Sequence, residues 1–339
     1  MLESSGKVDS QKRWLVTGAA GFIGSHILEA LLRHDQQVIG LDNFSTGKMS
    51  NLERVKEACG QKLWENFELK TGDIRDLAAC ERAMSGVDVV SHQAALGSVP
   101  RSIENPAGAH AANVTGFFNI LLAASNAGVD RVVYAASSAA YGDTECSPKV
   151  EDIIGRPMSP YGATKLINEI YADIFARQYG LTTVGLRYFN VFGPRQDPLG
   201  AYAAVIPKWI TDVKYGNQIV VNGDGSTTRD FCYVENIVDA NIRAASFDYP
   251  QEIGHIFNIA VGECTSLSEL LFRIVTEMET QSGKIMPVDV KYADFREGDI
   301  HHSLADISKA RSQLGYEPRF TLQDGLVPTV KYFLEDEIT

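Results

Sequence analysis

The sequence contains little cysteine and no pattern that would pair it. Five cysteines are scattered over 339 residues, and no two of them form a C-x-x-C pair. A disulfide framework or a zinc site usually shows an even number of closely spaced cysteines, so both are disfavoured. We therefore expect no metal and a reducing compartment, the cytoplasm.

Long apolar runs and an excess of basic residues are also missing. No apolar run approaches the ~18 residues of a membrane span, and the first 13 residues are polar and mixed in charge. Acidic residues outnumber Lys and Arg by 43 to 31, which gives a formal net charge of -12. We expect a soluble, unexported chain whose partners are neither nucleic acids nor membranes.

An alternation of strand and helix signals fills the first half of the chain. Between Trp14 and Tyr188, short β-branched runs alternate with longer segments of helical period, which is typical of parallel strands joined by crossover helices. The predicted strands are 14–17, 37–42, 67–71, 87–93, 131–137 and 183–188, and the predicted helices are 22–34, 77–84, 106–128 and 159–179. The expected fold class is α/β, with a Rossmann-type doubly wound parallel sheet.

The alternation breaks after Asn190. A loop rich in Gly and Pro leads into shorter mixed elements, including a helix that Ser266 and Glu269 open as a capping box. We expect one domain over 12–190, to which some later segments return, and a smaller mixed α/β lobe that occupies most of 191–339. No internal repeat is visible.

A glycine turn follows the first predicted strand and opens the first predicted helix. Gly18, Gly21 and Gly24 let backbone N–H groups approach a pyrophosphate, whose charge the helix N-terminus stabilises. Their spacing is G-x-x-G-x-x-G rather than G-x-G-x-x-G. Asp42 ends the second predicted strand, where a carboxylate accepts hydrogen bonds from ribose hydroxyls and repels a 2′-phosphate. The pattern predicts that the 12–190 domain binds NAD rather than NADP.

Polar and small residues mark the ends of the next two strands. Asp73 follows the third strand, and Gln93, Ala94 and Ala95 follow the fourth. The carboxyl ends of parallel strands lie at one edge of a sheet, so we expect these residues beside the rest of the dinucleotide.

A tyrosine and a lysine are one turn apart at the start of the 159–179 helix. Ser159 is its expected N-cap, and Tyr161 and Lys165 share one face. A free phenol has a pKa of ~10, but an ammonium, a helix N-terminus and a nicotinamide cation favour its phenolate. Tyr161 is thus the candidate proton acceptor, and Ser137 or Ser138, at the end of the fifth strand, can share the proton.

In this order the glycine turn, Asp42, the two serines and the Tyr161/Lys165 pair resemble the extended short-chain dehydrogenase/reductase superfamily. The segments 92–102, 186–194, 223–231 and 296–299 resemble its nucleotide-sugar epimerase branch, and are most similar to bacterial UDP-N-acetylglucosamine 4-epimerases. The resemblance covers nearly the whole chain and implies tightly bound NAD. It also implies further cofactor contacts at Phe22, Ile23, Asn43, Ser45, Gly47 and Ile74, besides Tyr161 and Lys165.

The resemblance further implies a set of substrate residues, mostly in the second lobe. The residues implied for the UDP part are Asn190, Lys208, Asn222, Arg229, Arg296 and Asp299, and those implied for the rest of the substrate are Gly97, Ser98, Ser138, Ala204, Val205 and Ser303. Arginine suits this role because its guanidinium gives bidentate contacts to phosphate.

Differences from related families reduce the number of reactions and substrates that the sequence favours. Related 4,6-dehydratases have an Asp-Glu pair where Ser138 and Ala139 stand, so elimination of water has no acid/base pair here. Epimerases restricted to UDP-glucose and UDP-galactose have a Tyr where Ser303 stands and a Lys where Gly97 stands. Ser303 is small, which favours an acetamido group on the sugar. Ala139 and Ala140 stand where acetamido-specific relatives have Ser-Thr.

These features lead to one hypothesis and several alternatives. The hypothesis is reversible 4-epimerisation of UDP-GlcNAc and UDP-GalNAc through a 4-keto sugar. The first alternative is the same chemistry on a UDP-hexuronate or a UDP-acetamido-hexuronate. Dehydration or decarboxylation after oxidation, and a non-catalytic dinucleotide sensor, are less favoured.

Two predicted helices carry more apolar surface than one sheet face covers. These residues are Phe117, Phe118, Leu121 and Leu122 in the first helix, and Ile167, Ile170, Tyr171 and Ile174 in the second. Together with the resemblance, they predict a homodimer that pairs the helices across a two-fold axis as a four-helix contact.

Overall fold

A computed structural model describes residues 11–199, 203–247, 254–295 and 302–335. The strands are β1 Arg13–Thr17, β2 Gln37–Asp42, β3 Phe67–Thr71, β4 Val89–His92, β5 Arg131–Ser137, β6 Thr182–Tyr188, β7 Val191–Phe192, β8 Ile219–Asn222, β9 Thr228–Arg229, β10 Cys232–Tyr233, β11 His255–Ile259, β12 Thr265–Ser266, β13 Val290–Ala293 and β14 His302–Ser303.

Twelve α-helices connect these strands within the described residues. They are α1 Phe22–Arg33, α2 Met49–Trp64, α3 Leu77–Ala83, α4 Val99–Glu104, α5 Pro106–His110, α6 Gly116–Ala127, α7 Pro160–Tyr179, α8 Val205–Tyr215, α9 Val234–Ser246, α10 Leu267–Ser282, α11 Ser308–Leu314 and α12 Leu322–Glu335. None of the described helices is long and apolar enough to cross a membrane.

Seven parallel strands form the central sheet, in the order β11-β6-β5-β4-β1-β2-β3. The predicted α/β fold with a doubly wound parallel sheet is confirmed. Its strands are rich in Val, Ile and Leu because helices cover both faces. The order reverses between β1 and β4, and ligands bind such sheets in the crevice outside the strand ends at that point.

Two buried clusters fill the faces of this sheet. Side chains of α1, α9 and α11 pack on one face, and those of α3, α6 and α7 pack on the other. A third cluster joins α8, α10 and α12 beside the short strand pairs of the later chain. The second half of the chain therefore contributes both its own core and α9, α11 and β11 on the central sheet.

All six predicted strands form, and the helix ends at Gly128 and Gly180 are confirmed by left-handed C-caps with φ of +70° and +68°. Ser266 caps α10 by accepting a hydrogen bond from the Glu269 backbone N–H, as expected. The helix expected over 106–128 forms, although it is not a regular α-helix throughout. It is divided into α5, a π-helical turn over Ala111–Thr115, and α6.

Several elements of the described residues were not predicted individually, among them α2 and β11. The helix α2 has Gly60 at φ +75° within its span, which interrupts the periodic signal. The strand β11 lies far along the chain from its partner β6 and is only five residues long. Both form because tertiary contacts compensate for weak local signals. All five cysteines are free thiols.

Candidate active site

A cleft of about 600 Å³ lies at the carboxyl edge of the central sheet. It brings together nearly all of the residues predicted for the cofactor and for catalysis. Those lining it are Gly18, Gly21, Phe22, Ile23, Gly24, Asp42, Asn43, Ser45, Asp73, Ile74, Gln93, Ala94, Ala95, Ser137, Ser138, Tyr161 and Lys165. Gly47 is the one predicted cofactor residue that does not line the cleft.

The glycine turn forms an open cradle between β1 and α1. Gly18 adopts a φ of +69°, and its N–H donates to the Leu41 carbonyl at 2.8 Å. A Cβ on Gly24 would overlap the carbonyl of Gly18, so no other residue fits this position without a backbone shift. The cradle therefore exposes backbone at the N-terminus of α1, the geometry that suits a pyrophosphate.

Asp42 is fixed at the end of β2 by backbone donors. Its carboxylate accepts hydrogen bonds from the Ala20 N–H at 2.9 Å and the Phe44 N–H at 2.8 Å. A Cβ on Gly47 would lie 3.0 Å from the same carboxylate. Gly47 thus lets the loop after β2 pack closely on Asp42. It supports the carboxylate from behind and does not itself line the cleft. A carboxylate oxygen has a second lone pair, so Asp42 retains acceptor capacity for ribose hydroxyls.

Asp73 is held by a residue that the sequence reasoning missed. Arg75 forms an ion pair with Asp73 at 2.6 Å, and Asn43 donates to the same carboxylate at 2.8 Å. The hydrogen bonds from Arg75 hold the pKa of Asp73 well below its usual range. Arg75 also lines the cleft. Its position two residues after a strand-end carboxylate is the signal that could have identified it.

The candidate catalytic pair, Tyr161 and Lys165, lies one turn apart on α7, as predicted. Ser159 caps α7 by accepting from the Gly162 N–H at 3.1 Å, and the Tyr161 N–H donates to the Ser102 hydroxyl at 3.0 Å. The Lys165 ammonium donates to the Ala135 carbonyl at 2.7 Å and lies 5.8 Å from the centre of the Tyr161 ring. The hydrogen bond to β5 therefore fixes the position of the Lys165 ammonium relative to the Tyr161 ring.

Burial dominates the titration of both groups. It lowers the pKa of Lys165 to about 8, although the carboxylate of Glu169 opposes the shift. Glu169 itself pairs with Arg187 at 2.7 Å. Burial also raises the pKa of Tyr161, against a hydrogen bond with the Ser137 hydroxyl that lowers it. Among the protein's own groups, loss of water around the phenolate therefore outweighs the Ser137 hydrogen bond. The phenolate expected from the ammonium, the helix N-terminus and a nicotinamide cation together stays a prediction.

The two candidate serines differ in their contacts. Ser137 is buried, interacts with the Tyr161 phenol, and accepts a hydrogen bond from the Ala139 N–H at 3.1 Å. Ser138 is half-buried in the cleft wall and begins the 3-10 turn that follows β5. The geometry favours Ser137 as the proton-sharing partner of Tyr161.

The residues implied for the substrate are less closely grouped. Gly97, Ser138 and Asn190 line the cleft, and the Asn190 side chain donates to the Asp230 carbonyl at 2.9 Å. The described residues implied for the substrate that do not line it are Ser98, Ala204, Val205, Lys208, Asn222, Arg229 and Ser303. Arg296 and Asp299 lie outside the described residues.

Several of these residues already have protein partners. Lys208 pairs with Asp212 one turn along α8 at 2.6 Å. Arg229 and Ser303 are register partners in β9 and β14, and Ser303 is 8% exposed. The Ser303 carbonyl accepts from the Asp230 N–H at 3.0 Å. Thus the structure joins Arg229 and Ser303 but leaves them outside the wall of the cleft.

Tyr188 was also missed. It is the last residue of β6, next to Ser137 in the sheet register, and it lines the cleft. Its strand-end position beside Asn190 was the available signal.

A second cavity, of about 530 Å³, lies between α1, α2, α9 and α12 and contains none of the predicted site residues. Its mixed acidic and basic lining includes neither Tyr161 nor Lys165, whereas the cleft at the strand ends holds both. Among the described residues, no group of three or more His, Cys, Asp or Glu side chains is arranged to hold a metal ion.

Comparison with known proteins gives consistent results. Residues 14–260 match the NAD dependent epimerase/dehydratase family. A putative UDP-glucose 4-epimerase of Methanocaldococcus jannaschii is 36% identical over 96% of this chain and 99% of its own length. A UDP-N-acetylglucosamine 4-epimerase from Methanobrevibacter ruminantium, whose structure is solved in complex with UDP-N-acetylmuramic acid, is 40% identical, with a TM-score of 0.87 over 96% of this chain and 98% of that one.

A structure with a different sugar is also similar. The UDP-glucuronic acid 4-epimerase of Bacillus cereus, in complex with UDP-glucuronic acid and NAD, is 30% identical, with a TM-score of 0.82 over 95% of this chain and 98% of that chain. The similarity to both structures extends over the central sheet and the later lobe alike.

Proposed function

This chain belongs to the NAD-dependent epimerase/dehydratase family and is an NAD-dependent UDP-sugar 4-epimerase, and from that premise we propose that it interconverts UDP-GlcNAc and UDP-GalNAc. One observation carries the reaction: Tyr161, Ser137 and Lys165 share a single cleft with the glycine cradle. The substrate assignment is supported by the 40% identity to a UDP-N-acetylglucosamine 4-epimerase and by the small side chain of Ser303.

The cleft fits NAD on the protein's own geometry. A Cβ at Gly24 would overlap the Gly18 carbonyl, so the close turn between β1 and α1 requires glycine there. Asp42 is fixed at the strand end where a carboxylate is needed to accept hydrogen bonds from ribose hydroxyls. When bound, NAD would accept a hydride from C4 of the sugar and then return it to the opposite face of the 4-keto sugar. We assign Gly18, Gly21, Gly24 and Asp42 to this cofactor.

Tyr161 is the proposed proton acceptor for the sugar 4-hydroxyl, and Ser137 shares that proton. Burial raises the Tyr161 pKa in the protein alone, so a phenolate needs added positive charge when the reaction occurs. Lys165 is anchored on Ala135 within reach of the phenol and supplies part of that charge. The same groups return the proton when the keto sugar is reduced, because the reaction is reversible.

Epimerisation also requires that the keto sugar present its other face. The sugar must therefore be held loosely while the nucleotide is held firmly. We propose that Asn190, Lys208, Asn222, Arg229, Arg296 and Asp299 hold the UDP part, with Gly97, Ser98, Ala204, Val205 and Ser303 near the rest of the substrate. Arg229 and Ser303 form adjacent parts of this proposed surface because β9 and β14 pair.

A UDP-hexuronate is the second candidate substrate. The similarity to the Bacillus cereus UDP-glucuronic acid 4-epimerase favours it, although the identity of 30% is below that of the acetamido-sugar enzyme. An acetamido-hexuronate combines features of both and belongs to the same test.

The deciding experiment is product analysis. Purified protein is incubated separately with UDP-GlcNAc, UDP-glucose, UDP-glucuronate and a UDP-acetamido-hexuronate, and the products are separated by chromatography and mass spectrometry. We expect UDP-GalNAc from UDP-GlcNAc, with a kcat/KM above those for the other sugars. A larger value with a uronate would replace the acetamido assignment, and a product of altered mass would contradict epimerisation.

The Ser303→Tyr variant tests the size argument directly. Extra volume beside the sugar costs about 1–3 kcal/mol of overpacking, which is roughly a 5- to 150-fold loss of kcat/KM for UDP-GlcNAc. UDP-glucose turnover is the internal control, since its C2 hydroxyl is smaller. Ser303 is buried, so the unfolding midpoint must be measured as well. Equal losses for both sugars, or no loss for either, would remove the size argument.

We also propose that the protein is a homodimer through α6 and α7. These helices contact each other, and their outer surfaces leave Phe118, Leu122 and Tyr171 half-buried and Ile170 54% exposed. Ile170→Glu is expected to give a monomer by light scattering at micromolar concentration. Ile285→Glu, at a residue 88% exposed elsewhere on the molecule, is the matched control and should leave the mass unchanged. A monomeric wild-type protein would contradict the proposal.

A further inference from the structure

A closed set of buried hydrogen bonds connects α9 to the floor of the cleft. Asn241, in the middle of α9, is 1% exposed. Its side chain crosses the space between helix and sheet to reach Tyr188 at the end of β6, Ser91 in β4 and Gln93 directly after β4. Tyr188 and Gln93 line the cleft, whereas Asn241 does not.

Every hydrogen-bonding position of the Asn241 amide is used. Its NH₂ group donates to the Tyr188 hydroxyl at 2.8 Å and to the Ile237 carbonyl at 2.8 Å. Its oxygen accepts from the Ser91 hydroxyl at 3.3 Å and from the Gln93 amide at 3.1 Å. An asparagine amide has two donor hydrogens and two acceptor positions, so nothing remains for a ligand.

The partners of Asn241 complete the set among themselves. The Tyr188 hydroxyl donates to the Gln93 oxygen at 3.2 Å, and the Gln93 NH₂ group also donates to the Ser91 hydroxyl at 3.1 Å. With Asn241 donating to Tyr188, the directions of all these hydrogen bonds are mutually consistent: each of the two hydroxyls accepts from one amide and donates to the other. The Tyr188 proton must then point at Gln93, and the Gln93 amide has one permitted orientation. A satisfied buried network of this kind specifies one side-chain arrangement.

The held side chains lie beside the reacting groups. In the sheet register Tyr188 is the partner of Ser137, and Gln93 directly follows His92, the partner of Tyr134 on β5. The same cleft wall contains Tyr161 and Lys165. A rotation of Tyr188 or Gln93 would therefore change the shape of the cleft where proton and hydride transfer take place.

We propose that Asn241 is a positioning residue for this reaction, which acts from outside the cleft by fixing Tyr188 and Gln93 in one orientation. The inference rests on the proposed function, because it assigns the wall formed by Tyr188 and Gln93 to the reacting part of the NAD and sugar site. It adds a helix on the far side of the sheet to the parts that set the catalytic geometry.

Asn241→Leu removes the amide and retains most of its volume. We expect kcat for UDP-GlcNAc to fall about 10-fold, since a small misplacement at a reacting centre has effects of this order. KM for the UDP-sugar should change less than about twofold, because the groups proposed for UDP lie in the other lobe. Binding of NADH, followed by its fluorescence, should weaken in the same variant.

Asn236→Leu is a matched control on the same helix. Asn236 is also 1% exposed, but its side chain bonds the backbone of Arg319 and Phe320, away from the cleft. This variant is expected to lower the unfolding midpoint without changing kcat or NADH binding. If Asn241→Leu behaves like Asn236→Leu, Asn241 is merely structural and the inference is overturned.

Tyr188→Phe provides a second test that spares packing. It removes only the phenol oxygen, which breaks the connection between Asn241 and Gln93, and kcat should fall in the same direction. The double variant Tyr188→Phe/Asn241→Leu should lose little beyond the larger single effect, since both changes release the same wall. A Tyr188→Phe variant with wild-type kcat, or losses that multiply in the double variant, would overturn the inference.

The wild-type protein separates this inference from the proposed function. Wild-type protein that binds NADH but epimerises no UDP-sugar overturns the proposed function and this inference together. Wild-type epimerisation with unaltered kcat in Asn241→Leu and Tyr188→Phe overturns this inference alone.

Discussion

The proposed cofactor half and the proposed substrate half of the site are built in different ways. In the cofactor half, the glycine turn and the ends of β1, β2 and β4 place contiguous residues on one cleft wall. In the substrate half, Arg229 and Ser303 lie on strands of two residues each, and Lys208 and Asn222 lie on separate elements. A binding site made from strand ends is encoded locally, whereas a site made from short pairings depends on contacts between distant segments.

Two buried carboxylates show the same contrast. Asp42 accepts from the Ala20 and Phe44 N–H groups, 22 and 2 residues away. Asp230 accepts from the Val261, Gly262 and Ala305 N–H groups, which are 31, 32 and 75 residues away. Asp42 fixes one loop on a neighbouring turn, while Asp230 joins three segments of the later chain: its own link between β9 and β10, the residues after β11 and the residues after β14.

The largest expected effect is at the glycine cradle. Gly24→Ala places a Cβ against the Gly18 carbonyl and should lower the free energy of unfolding by at least about 3 kcal/mol, with loss of NAD binding. Gly97→Ala is the control, because no atom lies within 4 Å of its added Cβ, and its unfolding free energy should stay within about 0.5 kcal/mol of wild type. Urea unfolding and NADH fluorescence measure both. Equal effects at the two glycines would erase the contrast between the halves.

Tyr161→Phe isolates the chemistry within the cofactor half. It removes the proposed proton acceptor but retains the ring, so kcat should fall by at least about 100-fold while NAD content is unchanged. The measurement is steady-state kinetics together with cofactor content after gel filtration. Turnover near that of wild type would remove Tyr161 from its assigned role.

Asp230→Asn tests whether the proposed substrate half depends on the buried hydrogen bonds that the Asp230 carboxylate accepts. The new NH₂ group faces backbone donors, so we expect the free energy of unfolding to fall by about 2 kcal/mol and KM for the UDP-sugar to rise several-fold. NADH binding should be unaffected. Asp289→Asn, at an exposed residue of the same lobe, is the control and should change neither quantity. A loss of NADH binding in Asp230→Asn would show that the halves are not independent.

A pH dependence is expected at Lys165. Burial lowers its folded pKa from 10.5 to about 8. Between these pH values the unfolded chain binds the proton that the folded chain has released, so this group's contribution to stability rises with pH across the window and is constant below it. Urea unfolding of wild type and Lys165→Met should therefore diverge in favour of wild type between about pH 8 and 10.5. Parallel curves would contradict the shift, and comparison with the variant cancels the titration of other Tyr and Cys groups.

Some residues of the candidate site have a local sequence signal, and others have none. The positions of Tyr161 and Lys165 followed from a cap and a helical repeat, and Gly18, Gly21 and Gly24 from a turn between a strand and a helix. Arg75 and Tyr188 were missed, although each stands at or just after a strand end, because neither belongs to a pattern that demands its residue type. The role of Asn241 has no sequence signal at all, since its partners are at least 53 residues away, apart from Ile237 in its own helix.

The sequence by itself determined the parallel sheet, the glycine cradle and the order of the candidate catalytic residues. These depend on hydrophobic periodicity, capping and backbone freedom, which act within one strand or one helix turn. Only the tertiary structure decided that Ser137 rather than Ser138 interacts with Tyr161, that burial raises the pKa of that phenol, and that Asn241 reaches Tyr188 and Gln93 from α9. Each of these depends on which distant side chains exclude water from a group or complete its hydrogen bonds, and a linear sequence does not state that.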